Sequence, residues 1–359
     1  MKILKLLNQS NIKKWKPILS KYANLLEKKG KELAKCASKV DNSSMEDNLS
    51  DIRYVVRFLK KINLQLELGD KYYFIPYGTV LIGLPYNEPI VTTIIPVISA
   101  LVMGNKVIVK PARSNIKITR KLLNPLYKLG VSKKKLIIQY IKRNKIKNLI
   151  NQVDLVFWMG SYNSSRKIAS ICIKLDKKFY IETEAINYCI IDNSLNNKQL
   201  SKVSSLLIKS ILVHNGQRCQ TVRGVLVSKE VYNKFVEIFN DCLRKYEYKI
   251  KVNYRPTLKE KLSYEFGPIL WIDKYENTEE LVNFLNKNQF SLSLYIFSRK
   301  KIEKLFHRFL KRLSYSRVVI NKDPSIVKLN EPWGGIKKSG MFGPVAWLNK
   351  FSNRMYIVV

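Results

Sequence analysis

Residues 77–110 read YGTVLIGLPYNEPIVTTIIPVISALVMGNKVIVK, and the change of rhythm along this stretch decides the fold class. Thr79–Gly83 is a short, continuously apolar run bounded by turn residues, as a buried strand would be. A helix-length segment follows from about Pro89 to Met103, and Gly104-Asn105 marks the turn after it. Val107–Val109 is a second strand. The same alternation continues downstream. A helix is expected around Ile116–Leu129, a strand over Leu136–Tyr140, a short helix near Ile146–Ile150 and a strand over Leu155–Trp158. After Gly160-Ser161 comes a helix to about Leu175, then strands Phe179–Ile181 and Tyr188–Ile191. Buried runs separated by amphipathic, helix-length segments mean βαβ units and a parallel sheet. The fold class is therefore α/β, and an open sheet of this kind binds ligands beyond the carboxyl ends of its strands.

Upstream, residues 1–65 read as helical. Ile18, Tyr22, Leu25 and Leu33, then Ile52, Val55, Val56 and Leu59, recur at helical spacing, with Asp41-Asn42-Ser43-Ser44 as a break. Short strands begin near Leu66, with an edge hairpin expected at Lys71–Ile75 before Pro76. Downstream, a second unit is expected from about Lys198. It comprises a helix to Val213, the loop His214–Gln220, a strand Gly224–Val227 and a helix Lys229–Tyr246. A basic, poorly patterned stretch runs to Ser263. Then come strand Ile269–Ile272, helix Thr278–Asn286, strand Leu292–Phe297, helix Lys301–Leu313 and strand Val318–Asn321. The expected division is a helical region over 1–65, an α/β domain over 66–195, a second α/β domain over 196–345, and a C-terminal strand over 346–359.

The 359 residues exceed the size at which one core usually stops growing, and 46 % are hydrophobic, which excludes a disordered chain. The longest apolar run, Ile90–Val102, is interrupted by Thr92, Thr93, Pro96 and Ser99 and reads as a buried helix, so no membrane partner is expected. The segment MKILKLLNQSNIKKWK lacks the pattern of a secretory signal. Five cysteines without CxxC spacing and only two histidines, His214 and His307, give no zinc or disulfide framework, so no metal is expected and the setting is expected to be reducing and cytoplasmic.

With 65 Lys+Arg against 27 Asp+Glu, the formal net charge is +38. A basic surface can hold nucleic acid through phosphate contacts. Here the lysines cover nearly every polar face, as in Lys133-Lys134-Lys135, without an aromatic-plus-basic recognition motif. Ile, Asn and Tyr, which share adenine- and thymine-rich codons with Lys, are abundant too. The surplus reads as composition bias, and no specific nucleic-acid partner is expected.

The blocks YGTVLIGLPYNEPI, LVMGNKVIVKPARSN, VFWMGSYNSS, YIETEAINYCII, HNGQRCQTVRGVLVS, YEFGPIL and EPWGGIKKSGMFG occur in an order that resembles the aldehyde dehydrogenase superfamily, from about Tyr77 to the C-terminus. The resemblance implies that family's architecture, a Rossmann-type dinucleotide-binding domain plus an α/β catalytic domain, and an NAD(P)-dependent aldehyde dehydrogenase, an oxidoreductase with a cysteine nucleophile. It places the nucleophile at Cys219, which would form a thiohemiacetal and then a thioester. Cys36, Cys172, Cys189 and Cys242 read as small buried hydrophobes. Asn87 matches the asparagine whose amide holds the developing oxyanion. Glu182 matches the glutamate that activates the hydrolytic water, with Glu184 a nearby competitor.

For the cofactor, Lys110 matches the lysine that reaches the adenosine ribose, and Gly160-Ser161 the turn that opens a helix beneath the pyrophosphate. Arg113 stands where the family often has a glutamate that repels a 2′-phosphate, so NADP is expected over NAD. Phe266 is expected to pack on the nicotinamide ring.

Three features depart from the family pattern. Glu184-Ala185 replaces the glycine pair usual after the glutamate. Tyr264 falls where a carboxylate normally binds the nicotinamide ribose. The stretch from Cys219 to Phe266 is shorter than usual. The leading expectation is oxidation of an aldehyde to a carboxylic acid by a homodimer or tetramer. The alternatives are a CoA-acylating or acyl-reducing relative, or a degenerate, non-catalytic member of the fold.

Overall fold

The computed structural model describes residues 2–65, 72–246 and 250–357. Two compact units emerge. One holds residues 1–182, 327–333 and 344–359, and the other 183–326 and 334–343.

In the first unit, α1 (Lys2–Lys28), α2 (Gly30–Asp41) and α3 (Met45–Lys60) precede β1 (Tyr72–Pro76) and β2 (Thr79–Gly83). Then come α4 (Pro89–Val102), β3 (Lys106–Lys110), α5 (Ile116–Lys128), β4 (Leu136–Ile138), α6 (Ile146–Asn151), β5 (Leu155–Met159), α7 (Tyr162–Lys174) and β6 (Lys178–Glu182). The strands form a five-stranded sheet in the order β4-β3-β2-β5-β6, parallel throughout. Because side chains alternate along a strand, the sheet serves two cores. Val80, Ile82, Val107, Val109, Leu155 and Phe157 pack against the helices α1–α5. Leu81, Ile108, Val156 and Trp158 pack with Ile146, Leu149, Ile168 and Cys172 from α6 and α7. The apolar run Ile90–Val102 is the buried helix expected of it, and each Ile or Val it hides contributes about 1.5–3 kcal/mol. The Tyr22 hydroxyl, buried in α1, donates to Leu122 O at 2.8 Å and docks that helix on α5.

The second unit contains β7 (Asn187–Ile191), α8 (Asn197–Leu212), β8 (Val222–Ser228), α9 (Lys229–Arg244), β9 (Lys251–Asn253), α10 (Leu258–Lys261), β10 (Ile269–Tyr275), α11 (Thr278–Lys287), β11 (Phe290–Ser291), β12 (Ser293–Phe297), α12 (Ile302–Arg308), β13 (Arg317–Ile320) and β14 (Ile336–Lys337). Its main sheet runs β13-β12-β7-β8-β10-β9 and is parallel throughout. Cys189, Ile191, Val225, Val227 and Ile272 face α8 and α9, while Tyr188, Ile190, Leu226 and Trp271 face α11 and α12.

The strand over Tyr188–Ile191 belongs to this second sheet, although the run of alternation from residue 77 groups it with the first. The reason is topological. Only residues 183–186 separate β6 from β7, with no helix between them. A parallel neighbour in the same sheet needs a crossover of about a dozen residues or more. Residues 250–262 are also more regular than their pattern suggests, since β9 closes one edge of the sheet and α10 carries a complete capping box from Thr257 and Glu260. The helix expected over Lys301–Leu313 breaks at Phe309 (φ −152°) and ends as a 3₁₀ turn.

Among the described residues β1 pairs with no neighbouring strand of a local hairpin. It pairs antiparallel with β15 (Ser352–Tyr356), from Tyr72 opposite Tyr356 to Pro76 opposite Ser352. Lys71, the other end of the expected hairpin, and Val358-Val359 lie outside the described residues, as does Leu66. No described helix is long and apolar enough to cross a membrane.

Candidate active site

In the first unit the parallel register aligns the carboxyl ends of the strands, and the expected residues gather there. Gly83 ends β2 opposite both Lys110, the last residue of β3, and Trp158 of β5. Met159 lies opposite Glu182, the last residue of β6. Gly160 N donates to Glu182 O at 3.1 Å, extending the ladder into the turn before α7. Asn87 lies in the loop that leads from β2 to α4, partly exposed, and Asn115 steadies that loop by donating to Pro85 O and Tyr86 O at 3.0 Å each. Asn87, Lys110, Gly160, Ser161 and Glu182 thus share one edge of one sheet, the edge where open α/β sheets hold ligands.

The residues expected to hold the dinucleotide have the chemistry for an anionic ligand. The Lys110 ammonium lies 5.4 Å from the Trp158 ring centroid, a cation–π contact that aims the long side chain. Trp158 can lie flat there because position 83 has no Cβ, which would come within 3.0 Å of the indole. Arg113 is exposed in the 3₁₀ turn before α5 and makes no ion pair with the described residues. Ser161 is the N-cap of α7, and its hydroxyl accepts from Ser164 N at 3.4 Å. That hydroxyl is therefore first a helix cap, and the remaining amides of the α7 N-terminus are the donors left for a phosphate.

Glu182 has a partner that the sequence reading missed. Its Oε1 is ion-paired with the Nζ of Lys350, which is itself only 1 % exposed. The ammonium also lies 4.6 Å from the Trp347 ring centroid and 5.6 Å from that of Phe157. Glu184, the competitor, belongs to the second unit, where its backbone carbonyl accepts from Ser339 Oγ at 2.8 Å.

In the second unit, Cys219 precedes β8 and Phe266 precedes β10, so both stand at the amino ends of adjacent parallel strands. Cys219 is partly exposed and not in a disulfide, whereas Cys172, Cys189 and Cys242 are buried as expected and Cys36 is half-buried against the helical core. The loop that carries Cys219 is pinned at several points. Asn187 Nδ2 donates to Cys219 O at 2.8 Å and to Thr221 O at 3.0 Å, while its Oδ1 accepts from Ser293 N at 2.9 Å. The Tyr295 hydroxyl donates to Gln220 O at 2.8 Å, and Gln220 Nε2 donates to Ser325 O at 3.2 Å. Burial pushes Tyr295 up to about 12, which keeps it a neutral donor.

Ahead of the cysteine, His214, Asn215 and Gly216 all take left-handed backbone angles, with φ of 51°, 52° and 68°. Arg223, buried, ties this turn to the Phe266-Gly267-Pro268 segment by donating to Gly216 O and, at 2.6 Å, to Gly267 O. Its guanidinium lies 5.5 Å from the Tyr264 ring centroid, and Tyr264 packs edge-on against Phe266 at 5.1 Å. Asn187 and Arg223 carried no signal in the sequence beyond their place in two motif blocks, because each works through backbone carbonyls.

The model of the aldehyde dehydrogenase family matches residues 3–257 and 260–355. Among similar proteins, the 4,4′-diaponeurosporen-aldehyde dehydrogenase of Staphylococcus aureus is 24 % identical, with 74 % of this chain and 67 % of that protein aligned. Aldehyde dehydrogenase family 3 member A2 of Pongo abelii is 26 % identical over 74 % of this chain and 63 % of its own. D-glyceraldehyde dehydrogenase (NADP(+)) of Picrophilus torridus is 22 % identical, and only 53 % of it is matched. The chain therefore spans roughly half to two thirds of the length of these curated relatives. Among solved structures, an NAD-dependent aldehyde dehydrogenase from Sinorhizobium meliloti superposes with a TM-score of 0.85 at 19 % identity, covering 96 % of this chain and 82 % of that one. Succinic semialdehyde dehydrogenase from Streptococcus pyogenes, solved with NADP+, gives 0.83 at 18 % identity, covering 99 % and 92 %. With two parallel sheets and a family model that matches nearly its whole length, the chain belongs to the aldehyde dehydrogenase family.

Proposed function

We propose that this chain oxidises an aldehyde to a carboxylic acid with a nicotinamide dinucleotide as acceptor. The observation that carries the reading is the condition of Cys219: partly exposed, on a loop held rigid through its own carbonyl and those of its neighbours. A nucleophile fixed in this way needs little reorganisation to attack a carbonyl. The Cys219 sulfur adds to the aldehyde carbon, and the oxygen that becomes negative is met by the side-chain amide of Asn87 and the backbone N–H of Cys219. One such donor is worth about 3 kcal/mol of barrier. Glu182 then takes the proton of the water that hydrolyses the thioester.

Lys110, Arg113 and the α7 N-terminus supply cations and amide donors, and no carboxylate among them opposes an anion, so they suit a dinucleotide. When bound, that cofactor accepts the hydride. The sign of Arg113 favours NADP over NAD, and Phe266, exposed beside Tyr264, offers a ring for the nicotinamide to pack on. With Tyr264 in place of a carboxylate, positioning of the nicotinamide ribose falls to the phenol. The first unit is assigned to the dinucleotide and the second to catalysis. Among the described residues the β1–β15 ribbon pairs with no third strand, and pairing of its edge with a second copy would give a homodimer or tetramer.

The deciding experiment follows nicotinamide reduction spectrophotometrically with a panel of aldehydes, with NAD and with NADP, with and without CoA. Turnover that is lost in Cys219→Ser and independent of CoA is expected. Absence of turnover with every aldehyde and both cofactors removes the proposal, and strict CoA dependence replaces hydrolysis with acyl transfer to a thiol.

A further inference from the structure

We propose that Lys350 is the positioning residue for Glu182, holding one carboxylate oxygen so that the other is presented to the hydrolytic water. The inference rests on the reading of Glu182 as the group that activates that water. Among the described residues, Lys350 is one of the largest fully buried side chains and the only one of those that carries a charge. A buried ammonium is costly unless it is paired, and its pairing here is specific. Its Nζ meets Glu182 Oε1, and its remaining surroundings include the ring faces of Trp347 and Phe157. Removing an ammonium from water to contact one carboxylate and two aromatic faces is a poor way to gain stability, since an apolar residue of the same size would serve as well or better. It is an effective way to fix a carboxylate.

The second oxygen completes the case. Glu182 Oε2 accepts no hydrogen bond from the described residues, and the Glu182 side chain keeps 13 % of its exposure. One oxygen is anchored and the other is open. Lys350 lies on the 3₁₀ turn Asn349–Phe351, directly before β15. That turn is itself fixed, because Asn105 Nδ2 donates to Phe351 O at 2.8 Å. The anchor is thus a rigid point of the first unit, while Glu182 ends a strand of its sheet.

In the deacylation step, the water oxygen bonds to the thioester carbon as its proton passes to Glu182 Oε2. The C–S bond then breaks, its electron pair returns to Cys219 Sγ, and the carboxylic acid leaves. The proton on Glu182 is released to solvent. Lys350 exchanges no proton; it keeps Oε1 engaged, so Oε2 is the acceptor in every turnover.

The test uses the full chain and p-nitrophenyl acetate, which acylates a reactive thiolate without cofactor. Nitrophenolate release then separates acylation, seen as a burst, from deacylation, seen as the steady rate. A general base contributes about 100- to 10,000-fold. Glu182→Gln should keep the burst and lower the steady rate at least about 100-fold. Lys350→Met should also give a burst of the parent's size, with the steady rate down at least tenfold, on the order of the loss a supporting contact causes. Lys350→Arg, which keeps the charge, should fall between the parent and Lys350→Met. Should Lys350→Met not fold, Lys350→Gln fills the same space without the charge and carries the same expectation. A steady rate equal to the parent's in the neutral variants, while Glu182→Gln is slow, overturns the role of Lys350 alone. A normal rate in Glu182→Gln overturns the reading of Glu182 on which it rests.

Discussion

Gly216 lies directly against the backbone of Gly267: a Cβ at position 216 would come within 3.0 Å of Gly267 O, Gly267 C and Pro268 N. The turn that introduces Cys219 and the segment that follows Phe266 are therefore in backbone contact, and only the smallest residue permits it. Gly216 also has φ +68°, where a side chain costs about 1–2 kcal/mol before any clash. Gly216→Ala should lower stability by more than that and displace the cysteine loop. A lower Tm together with slower alkylation of Cys219 is expected, and a variant that matches the parent in both would show that the contact is unimportant.

Arg223 bridges the same two segments, and its two donors reach two different carbonyls. A guanidinium can do this because its N–H groups diverge in one plane, whereas an ammonium is a single point. Arg223→Lys should leave one buried carbonyl without its donor, at about 1–3 kcal/mol. Arg223→Met should lose both. If the clamp sets the spacing of Cys219 from Phe266, kcat should fall more than tenfold in Arg223→Met. Unchanged kcat alongside reduced Tm would confine Arg223 to stability.

Arg113 is exposed and makes no ion pair with the described residues, so replacing it disturbs little else. A charge-assisted hydrogen bond to a phosphate is worth about 1.5–3 kcal/mol, or roughly 10- to 100-fold in affinity. Arg113→Ala should raise KM for NADP by about that factor and leave KM for NAD within about twofold. Arg113→Glu should reverse the preference. Parallel changes for both cofactors would mean that Arg113 does not read the 2′-phosphate.

Much of this architecture is visible in the residues themselves. β2, α4 and β3 declare themselves because Thr79–Gly83 and Val107–Val109 are apolar without interruption and the segment between them is helix-length. The departure of β7 to the second sheet was missed, because its apolar run continues the alternation of the first, and only the four-residue link after Glu182 seen in the structure excludes a crossover helix. β9 was not legible, being three residues long, none of them buried, in a Lys-rich stretch. Pairing of β1 with β15 joins segments far apart in the sequence, so no local pattern announces it. Cys219 and Glu182 stood out through their motif blocks. Lys350 did not, because it is one basic residue among 65 and its carboxylate lies 168 positions away. Burial of a lysine is a tertiary fact that composition conceals.

The cysteines give a last prediction that needs no substrate. A thiol reacts as its thiolate, so exposure and ionisation together decide which cysteine is alkylated. Burial pushes Cys172 up to about 12 and raises Cys189 as well. At pH 8 a thiol of that kind is ionised to only about one part in ten thousand. Iodoacetamide at pH 8 followed by peptide mass spectrometry should therefore modify Cys219, reach Cys36 more slowly, and leave Cys172 and Cys189 intact. Raising the pH works against the fold in a defined direction. An unfolded cysteine titrates near about 8.5. Between there and about 12 the folded state binds more protons at Cys172 than the unfolded chain does, so stability falls as pH rises. Labelling of Cys172 should appear only together with loss of the folded signal. Early modification of Cys172, with Cys219 untouched, would mean that the reactive thiol has been misassigned.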